Sequence, residues 1–252
     1  MNKIKLLLQV IKKFKNWHVL IGIYFKTIKK DQVILETRNK LKIKIRTHST
    51  DIMQLGTVWF TNDYNMPGFE IRDNDIIVDV GAHIGLFALF ASQFCKNGKI
   101  YCFEPIKENY EMLSDNTNLN EIKNIIPLNL AVSKENEHVR IYLDLDESAH
   151  SIFPQGNTFV DVKSTTVKRF FDEYKIENCD LVKIDCEGAE YEIIDSIPEE
   201  YFSRINKIII EYHLIDKKLE LYQNLLKKLE NMSFKTKTRK ISEDMGMIYA
   251  MR

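Results

Sequence analysis

Two runs of charged residues closing apolar stretches carry the chemistry this chain could do. In Leu181-Val182-Lys183-Ile184-Asp185-Cys186-Glu187-Gly188-Ala189-Glu190, strand alternation sends Lys183, Asp185 and Glu187 one way and Ile184 and Cys186 the other. A cation and two acids at the end of a buried strand are costly to desolvate unless paired. The cluster is therefore either an ion pair bracing a sheet or a reaction centre. Glu211-Tyr212-His213 closes the next apolar run, and adjacent parallel strands would bring Glu211 and His213 beside Asp185 and Glu187. These four are the candidate catalytic residues.

A second constellation reads as a ligand loop. Ile77-Val78-Asp79-Val80-Gly81-Ala82-His83-Ile84-Gly85 ends a strand in an acid and turns through two glycines into a helix. Gly81 and Gly85 would let the backbone bend tightly and approach a ligand, at the strand ends where open α/β sheets bind them. His83 stands where a nicotinamide-type G-x-G-x-x-G loop has its middle glycine, and Asp79 opposes a pyrophosphate. The acid suits a cationic head, such as the amino group of a methionine moiety, or the hydrogen bonds that hold the loop. Glu104 ends the next strand, where a carboxylate can accept both hydroxyls of a ribose. Pro105-Ile106 behind it offers an apolar face to an adenine ring.

The elements that must position these residues follow from periodicity. Ile4, Leu7, Leu8, Ile11 and Phe14 predict an amphipathic helix over residues 3–16. It either packs on the domain, as one chain or in a homodimer, or anchors at a membrane surface. Residues 32–46 alternate as a hairpin around Arg38-Asn39-Lys40. From Ile76 onward strands alternate with helices, as in a parallel sheet covered on both faces. Strands are expected at 76–80, 100–103, 125–130, 180–185 and 207–212. Helices are expected from Ile84, with Phe87, Ala88, Ala91 and Cys95 on one face, and at 107–116, 167–176, before Pro198 and around 219–229. Segments near 138–145 and 158–162 read as an inserted hairpin, and 234–239 with 247–251 as a closing antiparallel pair. The division expected is an extension over 1–50 and a catalytic domain over 51–252.

Composition bounds the partners. The 252 residues carry 36 basic and 36 acidic side chains, but residues 1–50 hold 13 of the basic and 2 of the acidic ones. The acidic remainder excludes a surface built to embrace nucleic acid, whereas the basic end could touch an anionic membrane. Cys95, Cys102, Cys179 and Cys186 lack C-x-x-C spacing and read as structural thiols of a cytoplasmic protein. The apolar run Val19 to Phe25 is too short to span a bilayer.

In the order VDVGAHIGLFAL, FEP-x4-Y, LNLAVS, DLVKIDCEGAEYEII and IIIEYH, the chain resembles the FkbM family of methyltransferases over about residues 50–235. KIDCEGAE is the most specific block. The resemblance implies a class I, Rossmann-like, doubly wound α/β fold, with a mostly parallel seven-stranded sheet and an antiparallel last strand. It implies S-adenosylmethionine as cofactor and O-methylation of hydroxyls on sugars or macrolide-type products. Cofactor contact is implied for Asp79, Gly81, His83, Gly85 and Glu104, with Pro105, Asn129 and Ala131 on the adenine side. His83 replaces the commoner Asn of GANIG, and an imidazole there would add a pH sensitivity.

An in-line displacement at a sulfonium needs an aligned hydroxyl and an acceptor for its proton. His213, Asp185 or Glu187 is the expected base. Asp185 and Glu211 resemble the acid pairs of metal-dependent O-methyltransferases and would suit Mg²⁺, though no metal ligands are assigned. A nicotinamide oxidoreductase and a non-catalytic S-adenosylmethionine-binding protein are the rival readings; only an enzyme needs the second acidic cluster. Acceptor selection is expected in residues 135–162, with His150, Ser151 and Phe153.

Overall fold

The computed structural model describes residues 3–61, 63–135, 137–142 and 158–252. Helices α1 (Lys3–Lys13) and α2 (Trp17–Tyr24) precede a hairpin of β1 (Gln32–Glu36) and β2 (Lys42–Arg46), then α3 (Asp51–Phe60). The alternating part runs β3 (Ile76–Val80), α4 (Leu86–Ala91), β4 (Lys99–Phe103), α5 (Lys107–Leu119), β5 (Ile125–Leu128) and β6 (Ala131–Val132). It continues through β7 (Glu137–Tyr142), β8 (Phe159–Thr165), α6 (Val167–Glu173), β9 (Leu181–Asp185), α7 (Glu190–Ser196), α8 (Glu199–Phe202) and β10 (Lys207–Tyr212). It closes with α9 (Leu219–Asn231), β11 (Lys235–Lys240) and β12 (Gly246–Met251).

Seven strands form the main sheet in the order β11-β12-β10-β9-β3-β4-β5. From β5 to β10 every pairing is parallel, and β12 runs antiparallel to both its neighbours. Strand order reverses between β3 and β9, which makes their carboxyl ends the natural ligand crevice. Period-two alternation then sorts the side chains. Val78, Val80, Tyr101, Phe103, Val182 and Ile184 face one core. Ile77, Ile100, Cys102, Leu181 and Ile209 face the other, together with Phe14, Leu35, Ile43, Leu55 and Trp59. The N-terminal elements thus cover one face of the sheet. That face also carries Asp79 and Lys183, neighbours in register on β3 and β9, and Asp185 beside Glu211 on β10.

The five parallel strands, the hairpin and the closing pair lie close to where periodicity puts them. Several expectations need correction. The N-terminal helix stops at Lys13, because Phe14 leaves it to bridge Thr37 and is fully buried. Leu7 and Leu8 are 40% and 51% exposed, whereas Val10 packs against the core. The run Val19 to Phe25 mostly forms α2, and α3 was not expected at all. Strand β5 ends at Leu128, two residues early, and Cys95 lies beyond the end of α4. Hairpin β7–β8 is antiparallel, while His150, Ser151 and Phe153, proposed for acceptor selection, lie outside the described residues. Among the described residues no helix is long and apolar enough to cross a membrane.

Candidate functional site

At the carboxyl ends of β3, β4 and β9 lies an open cleft with a cavity of about 110 Å³. Its floor begins at the Gly81 turn, which has φ +76°; a Cβ there would sit 1.8 Å from the Asp185 carbonyl oxygen. No side chain fits. Gly85, at φ +85°, caps α4 in a left-handed conformation that glycine alone adopts readily. The chain between them presents backbone N–H groups, and that of His83 donates to Glu104 Oε2 at 2.8 Å.

Glu104 is the centre of the cofactor half. Ile106 N–H donates to its Oε1 at 2.9 Å, and the Asn109 side chain bonds the same carboxylate. Burial pushes its pKa up to about 7, outweighing those hydrogen bonds. Phe103, Pro105, Ile106, Ala131, Val132 and Ile141 form an apolar slot beside it. Asn129 is not in the wall. Its amide donates to the carbonyls of Glu104 and Pro105, bracing the turn beneath.

Two cofactor expectations change. The Asp79 side chain has no exposed surface and stands 3.0 Å from Lys183 Nζ. It therefore belongs to an ion pair inside the sheet instead of facing a ligand's cationic head. His83 is pushed down to about 4 by burial, so it stays neutral around pH 7 and the expected titration near neutrality is absent. Its Nε2 lies 3.0 Å from an Arg46 guanidinium nitrogen, and Asp51 accepts from the same Arg46 at 2.8 and 3.1 Å.

The four candidate catalytic residues do converge. His213 Nδ1 is 2.8 Å from Glu190 Oε1, and its Nε2 lies 3.7 Å from Glu187, 4.0 Å from Asp185 and 4.0 Å from Glu211. Burial opposes its charge, but Glu190, Glu187 and Asp185 prevail and hold its pKa well above the ordinary imidazole value. Burial pushes Glu187 up to about 8, against the His213 charge. Burial, then the Asp185 carboxylate, pushes Glu211 to about 7. Burial also opposes the charge on Lys183, yet Asp79 and Asp185 raise its pKa above the usual lysine value. Asp185 and Glu187 line the cleft, and Glu211 and His213 stand behind them. Glu187 is placed by a backbone at φ +50°, a strained conformation for a non-glycine residue.

Tyr64 was invisible in the sequence. It is buried, its hydroxyl donates to Glu211 Oε2 at 2.9 Å and lies 3.4 Å from Asp185 Oδ2, and its ring lies under Lys183. Gln54 and Val58 of α3 also line the cleft. None of the three sits in a periodic pattern or motif that could have marked it.

Residues 79–236, well over half of the chain, match the family described as Methyltransferase FkbM domain. The chain belongs to the FkbM methyltransferase family. This FkbM-family chain is 28% identical over 175 residues to Methyltransferase sdnD of Sordaria araneosa, covering 56% of this chain and 67% of that one. It is 27% identical over 185 residues to 31-O-demethyl-FK506 methyltransferase FkbM of Streptomyces tacrolimicus, covering 61% and 71%. It is also 24% identical over 136 residues to a tRNA(Phe) (4-demethylwyosine(37)-C(7)) aminocarboxypropyltransferase of Methanocaldococcus jannaschii, covering 50% and 53%. Among solved structures, fibrillarin of Methanococcus jannaschii shares the fold, with TM-score 0.52 and 15% identity over 88% of this chain and 82% of that one. Sheet order and the antiparallel β12 agree with the class I methyltransferase fold, and S-adenosylmethionine is the cofactor of this family member. The site fits it: an apolar slot for adenine, Glu104 for the ribose hydroxyls, and a surplus of carboxylates toward a cationic sulfonium.

Proposed function

We propose that this FkbM-family methyltransferase O-methylates a hydroxyl of a sugar, a glycan or a small natural product. The observation that carries the reading is the carboxylate cluster at the mouth of the cofactor cleft. Its outermost member, Glu187, has a side chain 26% exposed, against 14% for Asp185 and 8% for Glu211. When bound, S-adenosylmethionine supplies an electrophilic methyl group on a sulfonium. Glu187, once ionised above about pH 8, is placed to accept the acceptor hydroxyl's proton as the oxygen–methyl bond forms and the methyl–sulfur bond breaks. Asp185, within 3.6 Å of Lys183, orients the hydroxyl. Tyr64 and His213 hold the carboxylates apart by donation and by charge. The relative named for 31-O-demethyl-FK506 supports a natural-product hydroxyl as acceptor.

The aminocarboxypropyltransferase relative motivates the second reading, transfer of the other carbon chain on the same sulfonium. Two labelled cofactors, one with the isotope in the methyl group and one with it in the aminocarboxypropyl chain, are incubated with cell extract and the products identified by mass. Label from the methyl donor alone, in an alkali-stable ether, is the expected result. Label from the other donor, or methyl label only on carbon or nitrogen, overturns the proposal.

A further inference from the structure

Where Asp185 lines the cleft and Glu211 and His213 stand behind it, these three each offer one ligand atom, and those atoms all lie within 4.8 Å of one another. The rest of each side chain is already fixed. Tyr64 donates to Glu211 Oε2 and is nearest to Asp185 Oδ2, so Asp185 Oδ1 and Glu211 Oε1 are the oxygens left facing the gap. His213 is 93% buried by its relative exposure of 7%. Among the described residues its Nε2 makes no hydrogen bond: the nearest carboxylate oxygens stand 3.7 to 4.0 Å away. In a histidine this buried, an Nε2 that faces acids at 3.7 to 4.0 Å is a poor end-point for a hydrogen-bonded brace. It is the spacing of ligands around an atom larger than a proton.

The far side of the imidazole agrees. Glu190, with no exposed surface, sits 2.8 Å from Nδ1, and a carboxylate behind a histidine is the usual second partner of a metal-bound imidazole, fixing the ring and leaving Nε2 to the ion. Charge points the same way. Asp79, Asp185, Glu187, Glu190 and Glu211 gather around Lys183 and His213, and an ion at Nε2 would displace the proton those acids favour there.

We propose that Asp185, Glu211 and His213 form a binding site for one divalent transition-metal ion of the Mn²⁺ or Zn²⁺ class, open toward the cleft. One nitrogen and two oxygen donors suit these ions better than Mg²⁺, which prefers an all-oxygen shell. This departs from the expectation of Mg²⁺ on the acids alone. The remaining coordination positions face the space where an acceptor hydroxyl would lie, and an ion there would lower the pKa of that hydroxyl. This role rests on the methyl-transfer reading, whereas the binding site does not.

The test uses full-length protein stripped with chelator, dialysed, and titrated with Mn²⁺ alone by electron paramagnetic resonance, and with Zn²⁺ alone by calorimetry. Saturable binding of one ion per chain is expected, weakened at least about tenfold in Asp185→Asn and His213→Gln. Glu190→Gln should weaken it by about ten- to a hundredfold, the usual cost of losing an outer partner. Glu104→Gln, at the cofactor end, should keep the affinity. Circular dichroism confirms that each variant is folded, and the wild-type titration stands without them. One-to-one binding with this pattern supports the site even in a preparation that transfers no methyl group. If folded wild type shows no saturable uptake of either ion up to about 1 mM, a free energy near 4 kcal/mol, the site is overturned even where methyl transfer proceeds.

Discussion

Glu104 shows how one side chain can set a binding profile. It must be ionised to accept both ribose hydroxyls, yet burial holds its pKa up to about 7. Below pH 7 the folded protein carries the protonated acid, which has lost an acceptor. Cofactor affinity should therefore rise between pH 6 and pH 8, measured by calorimetry in buffers of matched ionic strength. Glu104→Gln removes the charge-assisted bond, worth roughly 1.5–3 kcal/mol, so affinity should fall about ten- to a hundredfold and its pH dependence should flatten. An unchanged profile in the variant places the titrating group elsewhere. Gly81 is the companion case. With 1.8 Å between an ideal Cβ and the Asp185 carbonyl oxygen, Gly81→Ala must push β3 and β9 apart at their ends. Both a lower melting temperature and loss of cofactor binding are expected, and a wild-type melting curve with intact affinity would refute the close packing. The acids and glycines were readable because their roles follow from strand ends and backbone freedom. Tyr64 was not, since a lone aromatic in an irregular segment has no period, and only the fold brings it to Glu211.

At the scale of elements, the strands were the readable part. Parallel strands buried on both faces are continuous apolar runs, and β3 and β10 have the ends their sequences suggest. Helix α3 was missed because Asp-Ile-Met-Gln-Leu-Gly-Thr-Val-Trp-Phe has Gly56 in its middle and only one charged residue, leaving no polar face to betray a helical period. Its role is to hold Asp51, fully buried, against Arg46 of β2 at 2.8 Å, with His83 of the cofactor loop on the same guanidinium. Removing one partner of a buried pair is destabilising, by up to about 3–5 kcal/mol. Asp51→Asn should lose stability of that order in denaturant unfolding and weaken cofactor binding through the loop. The same triad has a pH signature. His83 is held at about 4 in the folded chain against 6.5 for an ordinary imidazole, so the unfolded chain gains its proton first as pH falls. Its contribution to stability is complete above pH 6.5 and is lost progressively down to pH 4. His83→Asn should flatten that acid limb in melting curves recorded from pH 7 to 4, and a limb of the same slope in the variant would remove His83 from the account.

Over the whole molecule, the family match begins at Asp79, yet the cleft is roofed by what comes before it. Gln54, Val58 and Tyr64 line it, and Asn116 and Asn120 of the α5 region bond the backbone of β2 through both their amide groups. Phe14, Leu20, Ile23, Leu35, Ile43 and Ile45 are buried in the same core as Leu55, Trp59 and Ile77. Six such side chains, at roughly 1.5–3 kcal/mol each, contribute about 10 kcal/mol or more, the size of a typical domain's entire stability. A chain lacking residues 1–46 should therefore fail to fold cooperatively, whatever its catalytic motifs. The basic, apolar start of α1 is different in kind: Leu6, Leu7 and Leu8 are all exposed, and among the described residues a deletion of residues 1–8 removes no buried core side chain. That shorter deletion should leave the melting temperature within about 2 °C, less than the shift from losing 1 kcal/mol in a chain of this size, and cofactor affinity unaltered. Calorimetric melting and cofactor titration of the two truncations decide the matter. A stable, cofactor-binding protein without residues 1–46 would show that the N-terminal elements are an accessory cover, and a collapse on losing residues 1–8 would show that the exposed leucines are held by something in solution.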